Sequence, residues 1–324
     1  MITRRSTLAI APLLSLSFAR TASAQSYPDR VVRLVVPFTP GGATDVTARL
    51  FASDMTQLFK QSVMVDNRPG AAGAVGIDLV AKAAADGYTL GVGGVGPLAL
   101  LPTIDAKLPY DPARDLDIVA GLSKVDFILV ARPGFPAATV AELIAKAKAE
   151  PGKITYSSAG VAGPQQLMIE HLAMLAGIKL FHVPFPGDNQ AVAALTNGDV
   201  DIALAGAASA LGLIKIGKLK ALAAGNGRLP SLPDLPSVAE QTGFTDFMGY
   251  TWNVLVAPKG TPGAIVTRLS EAANDLARKR EMAAKLEAIG LRPMPGSARE
   301  IADQVASDTA QYRRLIDLTG LRRE

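Results

Sequence analysis

The residues best suited to chemistry form one continuous stretch, Pro37-Phe38-Thr39-Pro40-Gly41-Gly42-Ala43-Thr44-Asp45. It lies between a β-branched apolar run, Val31 to Phe38, and an apolar-periodic segment, Thr44 to Phe59. Two adjacent glycines let backbone amides approach a bound group closely. The helix start that follows aims its free N–H groups and the positive end of its dipole at the same spot. A turn of this kind suits an anion. It holds no Lys or Arg, so a carboxylate bound here would be met by N–H dipoles and water. A branched side chain at Gly42 would stand where the ligand must approach, and would be strained by any positive φ there.

The remaining constellations are weaker. Gly91-Val92-Gly93-Gly94-Val95-Gly96 fits the dinucleotide fingerprint G-x-G-x-x-G. However, Pro97 and Pro102 leave room for only a short helix where a long crossover helix is needed, and Asp115 lies in a turn-like segment rather than at a strand end. The two histidines, His171 and His182, have no His or Cys at metal spacing. Asp199 and Asp201 stand two apart after an Asn-Gly turn and read as a solvated turn. Ser157-Ser158-Ala159-Gly160 approaches a G-x-S-x-G elbow without completing it. There is no cysteine, which excludes disulfides, thiolate nucleophiles, Cys-ligated metals and a lipidated N-terminal Cys. These residues imply no cofactor and no metal, and they join no nucleophile to a base. The net charge is +4, of which Arg4, Arg5 and Arg20 supply three, and no basic block of nucleic-acid-binding length occurs.

The elements that would position the turn follow from periodicity. Arg4-Arg5, an apolar Leu8 to Phe18 and Ala22-Ser23-Ala24 form the three parts of a cleavable export signal, with cleavage after Ala24. The mature chain then alternates strand and helix: strand 31–38, helix 44–59, strand 63–65, helix 73–84, strand 88–92. This pattern implies a parallel sheet covered by helices. Ile118 to Val130 reads as two strands with a break near Ser123-Lys124. A second alternating set follows, with a helix opened by the capping box Thr139 to Glu142, then strands at 154–157, 180–183, 200–204 and 219–224. Further capping boxes begin at Ser237 and Ser297, and two closing helices, 263–279 and 297–318, should pack back on the first set. The fold class is therefore α/β with two lobes: 25–128 with 250–324, and 129–249. The crossings near 125–131 and 245–252 are suited to hinge closure.

Several segments, in order along the chain, resemble the Bug family of extracytoplasmic solute-binding receptors of tripartite tricarboxylate transporters. They are Tyr27-Pro28-Asp29-Arg30, Val35 to Asp45, Asp66-Asn67-Arg68-Pro69-Gly70-Ala71, Asp86-Gly87-Tyr88-Thr89-Leu90, Leu108-Pro109-Tyr110-Asp111-Pro112, Thr139 to Leu143, His182-Val183-Pro184-Phe185, Gly198-Asp199-Val200-Asp201 and Ala257 to Pro262. The resemblance implies a Venus-flytrap (type II-like) periplasmic binding fold. Its ligand would be a small organic acid, held between one loop of each lobe and delivered by a monomer to the transporter's membrane components. It implies contacts from Phe38, Thr39, Gly41, Gly42, Ala43 and Asp45 on the first loop. On the second it implies Ser158, Gly160, Ala162 and Gly163, with Phe185. This sequence departs from the family in two places. Gln166 stands where a His is usual, and Gly94 to Pro102 is apolar where the family is more polar, which favours an aliphatic or aromatic acid. An exported sensory receptor for the same ligands and an exported hydrolase are the alternative readings.

Overall fold

The computed structural model describes residues 27–320, so the export signal and its cleavage position lie outside the described residues. The first set runs β1 (Val32–Val36), α1 (Ala43–Phe59), β2 (Val63–Asn67), a 3-10 turn (Ala71–Gly73), α2 (Ala74–Ala81) and β3 (Thr89–Gly94). A π-type turn (Gly96–Leu100), α3 (Leu101–Ile104) and α4 (Pro112–Asp115) lead to the long β4 (Leu116–Ala131). The second set is α5 (Val140–Ala149), β5 (Thr155–Ser158), α6 (Pro164–Ala176), β6 (Phe181–Pro184), α7 (Asp188–Asn197), β7 (Ile202–Gly206), α8 (Ala207–Lys215), β8 (Lys220–Ala224) and α9 (Val238–Thr242). The chain then returns through β9 (Tyr250–Pro258), α10 (Gly263–Arg278), α11 (Arg280–Glu287), β10 (Leu291–Pro293) and α12 (Ala298–Thr319). Among the described residues no helix is long and apolar enough to cross a membrane.

Local chemistry explains most boundaries. Helix α1 buries Ala48, Phe51, Ala52, Met55 and Phe59, a three-and-four spacing that puts one stripe on the core. Ser237 and Ser297 make complete capping boxes with Glu240 and Glu300. The box expected at Thr139 is half made. Thr139 accepts from the Glu142 amide, but the Glu142 carboxylate takes the Ala138 amide instead.

The strand order is β2-β1-β3-β9-β4-β7-β5-β6, with β8 and β10 also paired to β4. Strands β1, β2 and β3 are mutually parallel, as are β5, β6 and β7. Both sets therefore share one arrangement, in which the first strand sits between the second and the third. The chain reverses its winding between β1 and β3, and again between β5 and β7. In open α/β sheets these topological switch points are where ligands bind, outside the carboxyl ends of the strands.

Strand β4 joins the sets, and it corrects the expectation of two strands. It is one strand whose partners change: Asp126 is paired with Tyr250 on β9, and Phe127 with Gly206 on β7. The irregularity near Ser123 is a pair of register shifts, between Ile118 and Ala120 and between Gly121 and Ser123. Bulges of this kind bend a strand without ending it. At the crossing the chain passes very close to itself. Phe127 N–H donates to Gly249 O (3.0 Å), and Gly225 N–H donates to Phe127 O (2.8 Å). A Cβ on Gly249 would fall 2.2 Å from the Gly225 carbonyl carbon, so only glycine fits there.

Three elements differ from the sequence reading. Helix α8 was not expected. The tail holds an additional helix, α11, and a three-residue strand, β10, which is too short for an alternation signal and pairs with Ser123 to Val125. The closing helices do pack on the first set, but α12 also packs on α6 of the second.

Candidate ligand-binding site

At the first switch point the sequence-predicted residues fall into two groups. Gly41 has φ +91°, where glycine is favoured, and its N–H donates to Asp45 Oδ2 (2.9 Å). Asp45 is 2% exposed and also accepts from Arg49 Nε (2.9 Å) and Asn67 Nδ2 (2.8 Å). Asn67 Nδ2 donates as well to Phe38 O (3.0 Å). Burial alone would raise the Asp45 pKa, but the hydrogen bonds from Arg49, Gly41 and Asn67 outweigh it and hold the carboxyl below its ordinary value. Asp45 is thus a strut inside the turn, and the Gly41 amide is committed to it.

Gly42 is different. It caps α1 with φ −79° and ψ 168°, it provides no side-chain cap, and a Cβ built on it meets nothing within 4 Å. The positive φ of the turn therefore falls on Gly41 rather than Gly42. First-turn amides of a helix have no intrahelical acceptor, and the space beside Gly42, just ahead of them in the chain, is open. Thr39 is exposed and Ala43 half-buried. The Phe38 ring closes the side of the turn, its Cζ 3.3 Å from where a Cβ on Gly73 would be, with Pro97 also against that glycine. Behind the helix start, Thr44 Oγ1 donates to Asn253 Oδ1 (2.8 Å), and Asn253 Nδ2 donates to Ser123 Oγ (3.0 Å). Ser123 Oγ in turn pairs with Thr47 Oγ1 (2.9 Å). Thr47, Ser123 and Asn253 are buried, so this polar chain fixes the start of α1 to β4 and β9.

The second switch point is built alike. Gly163 and Gly206 start α6 and α8, and Gly187 starts α7, all without a side-chain cap. Away from the switch points, Thr139, Ser237 and Ser297 cap α5, α9 and α12 with their hydroxyls, while α10 and α11 begin uncapped. Ser158 is buried; its Oγ donates to Gly160 O (2.8 Å) and lies 2.7 Å from His182 Nε2. Phe185 N–H donates to Ser158 O (2.9 Å), which draws Ser158, Gly160 and Phe185 together. Ala162, at φ +56°, gives its N–H to Gln166 Oε1 (2.7 Å). Gln166 therefore shapes the loop, and the Ala162 amide is not free for a ligand.

The structure reveals one Ser–His contact that sequence reading missed, Ser158 with His182. The hydroxyl is buried and bonded to its own loop, and among the described residues no hydrogen bond to a carboxylate orients the imidazole. The ring stacks on Tyr156 (4.8 Å between centroids), and burial lowers its pKa. His171 is buried against Phe247, its Nδ1 without a partner, and burial lowers its pKa as well. Asp201 clamps Arg132 Nε (3.0 Å) and Thr155 N (3.0 Å) at the amino end of β7, the opposite edge from the switch point. The glycines of the G-x-G-x-x-G match serve packing: a Cβ on Gly93 would lie 2.3 Å from Leu98, and one on Gly91 would lie 3.0 Å from both Val80 and Val256. Asn67, Asn253, Gln165, Asp188 and Ser209 were not singled out as site residues. Asn67 belongs to the Asp66-Asn67-Arg68-Pro69 motif, and Asp188 follows Gly187 at a helix start, which were the available signals.

Comparison with known proteins gives a consistent family. The profile described as "Tripartite tricarboxylate transporter family receptor" matches residues 47–321. A UPF0065 protein encoded between tcbD and tcbE in Pseudomonas sp. is 34% identical over 317 residues, covering 97% of this chain and 94% of the relative. An R. palustris protein solved with adipate superposes with a TM-score of 0.85 at 31% identity, over 91% of this chain and 99% of that one. The periplasmic binding protein BugD superposes with a TM-score of 0.80 at 28% identity, over 92% and 100%. With a profile that spans most of the chain and a shared two-lobed α/β fold, this protein belongs to the receptor family of the tripartite tricarboxylate transporters.

Proposed function

We propose that this protein is a periplasmic receptor that captures a small carboxylate-bearing molecule between its two lobes and delivers it to the membrane components of a tripartite tricarboxylate transporter. The observation that carries the reading is the start of α1. Its amides are uncapped, held rigidly by Asp45 and Asn67 from behind, and open in front of Gly42. Such an end attracts an anion without any cationic side chain. The loop from Ser158 to Gly163 is its topological counterpart in the second lobe, and α12, packed on both α6 and the turn 96–100, spans the two. The lobes close about the crossings at Asp126-Phe127 and Gly249-Tyr250. The adipate-bound relative supports a carboxylic acid as ligand class. Binding without catalysis fits the committed Ser158 hydroxyl.

A thermal-shift screen of the purified protein against carboxylic acids tests the reading, because a ligand that binds only the native state raises its apparent stability. At least one acid should raise the midpoint while its methyl ester does not. A panel in which acids and esters act alike would refute carboxylate capture. Intact mass of protein from the periplasmic fraction should begin at Gln25.

A further inference from the structure

The second switch point contains an unusual group for a site that attracts anions. Asp188 is the first residue of α7, and its carboxyl reaches across to both neighbouring helix starts. Oδ1 accepts from Gln165 Nε2 in the first turn of α6 (2.9 Å) and lies 3.5 Å from the Gly206 amide at the start of α8. Oδ2 accepts from the Ser209 hydroxyl, in the first turn of α8. Gly206 leaves the approach clear, since a Cβ there would stand 3.2 Å from Oδ2. Among the described residues no Lys or Arg pairs with this carboxyl. Burial pushes its pKa up, against the opposing hydrogen bonds from Ser209, Gly206 and Gln165. Three donors at this switch point, the Gln165 amide group, the Gly206 N–H and the Ser209 hydroxyl, are therefore turned to a carboxyl belonging to the chain.

We propose that Asp188 fills the anion position of the second lobe, so that the site accepts acids with one carboxylate in preference to dicarboxylates of the same length. This rests on the carboxylate-receptor reading above. The ligand's single carboxylate is met by the start of α1, and its other end faces Asp188. A second carboxylate at that end would find these three donors occupied and would share the space with a like charge, which forces one of the two groups to take a proton. A neutral or hydrogen-bond-donating end meets neither obstacle.

The test is calorimetric titration of the purified protein with matched pairs of acids: butanoate with succinate, hexanoate with adipate, and benzoate with terephthalate. The wild type should bind the monocarboxylate at least tenfold more tightly in every pair that binds. Asp188→Asn and Asp188→Ser, each checked for folding by circular dichroism, should reduce that ratio at least tenfold. A wild type that binds the dicarboxylate equally or better overturns the proposal, and so does an unchanged ratio in either folded variant. The wild-type ratio decides alone should neither variant fold. If no acid of any pair binds the wild type, the receptor reading falls and this inference falls with it. Binding with the wrong ratio removes only the inference.

Discussion

Gly42→Val separates binding from folding more cleanly than any other change at the site. The backbone at Gly42 (φ −79°, ψ 168°) lies in the extended region that valine prefers, and a Cβ there has no neighbour within 4 Å. The substitution should therefore change stability by no more than about 0.5 kcal/mol, as for other unpacked surface positions. Its branched methyls would stand directly in front of the uncapped first turn of α1. If they keep a carboxylate from two of those amides, each hydrogen bond to a charged group is worth about 1.5–3 kcal/mol. Affinity then falls by roughly two to four decades, at about 1.4 kcal/mol per decade. The assay is calorimetric titration with the tightest acid from the screen, alongside thermal unfolding of both proteins. An unchanged melting midpoint with affinity within threefold of wild type would refute the reasoning, because the space in front of Gly42 would then not be the ligand's.

Further outcomes follow from other contacts. Asp45→Asn should lower the melting midpoint at neutral pH, since it removes a charged acceptor of three hydrogen bonds, worth about 1.5–3 kcal/mol each at the upper limit. The folded-state pKa of Asp45 is depressed, so its contribution is fully present above the ordinary carboxylate pKa and is lost as pH falls through the lower folded value. The gap between wild type and variant should therefore close in acid, and a gap that is constant with pH would contradict the assignment. Gly249→Ala places a Cβ 2.2 Å from Gly225 and should destabilise by about 1–3 kcal/mol in denaturant titrations, as overpacking does. Saturating ligand should shrink the radius of gyration in small-angle scattering; an unchanged curve would argue against lobe closure.

The sequence by itself determined the strand–turn–helix at Pro37 to Asp45, the two alternating α/β sets, the capped helix starts at Ser237 and Ser297, and the family. These signals are local: glycine pairs, hydroxyl caps and apolar periodicity act within a few residues, and the family motifs are contiguous words. Tertiary structure decided which amides are free. Gly41 and Ala162 sit in the turns that sequence marked for binding, yet their N–H groups are used by Asp45 and Gln166, leaving the end of α1 after Gly42 as the open donor set. It also decided that β4 stays continuous where a polar Ser123 suggested a break, because Thr47 and Asn253 satisfy that hydroxyl from distant elements. The meeting of Gln165, Asp188 and Ser209 was invisible in the chain for the same reason. They belong to three helices, and the parallel order of β6, β5 and β7 alone brings the three starts to one edge, where a half-buried carboxyl must find its donors.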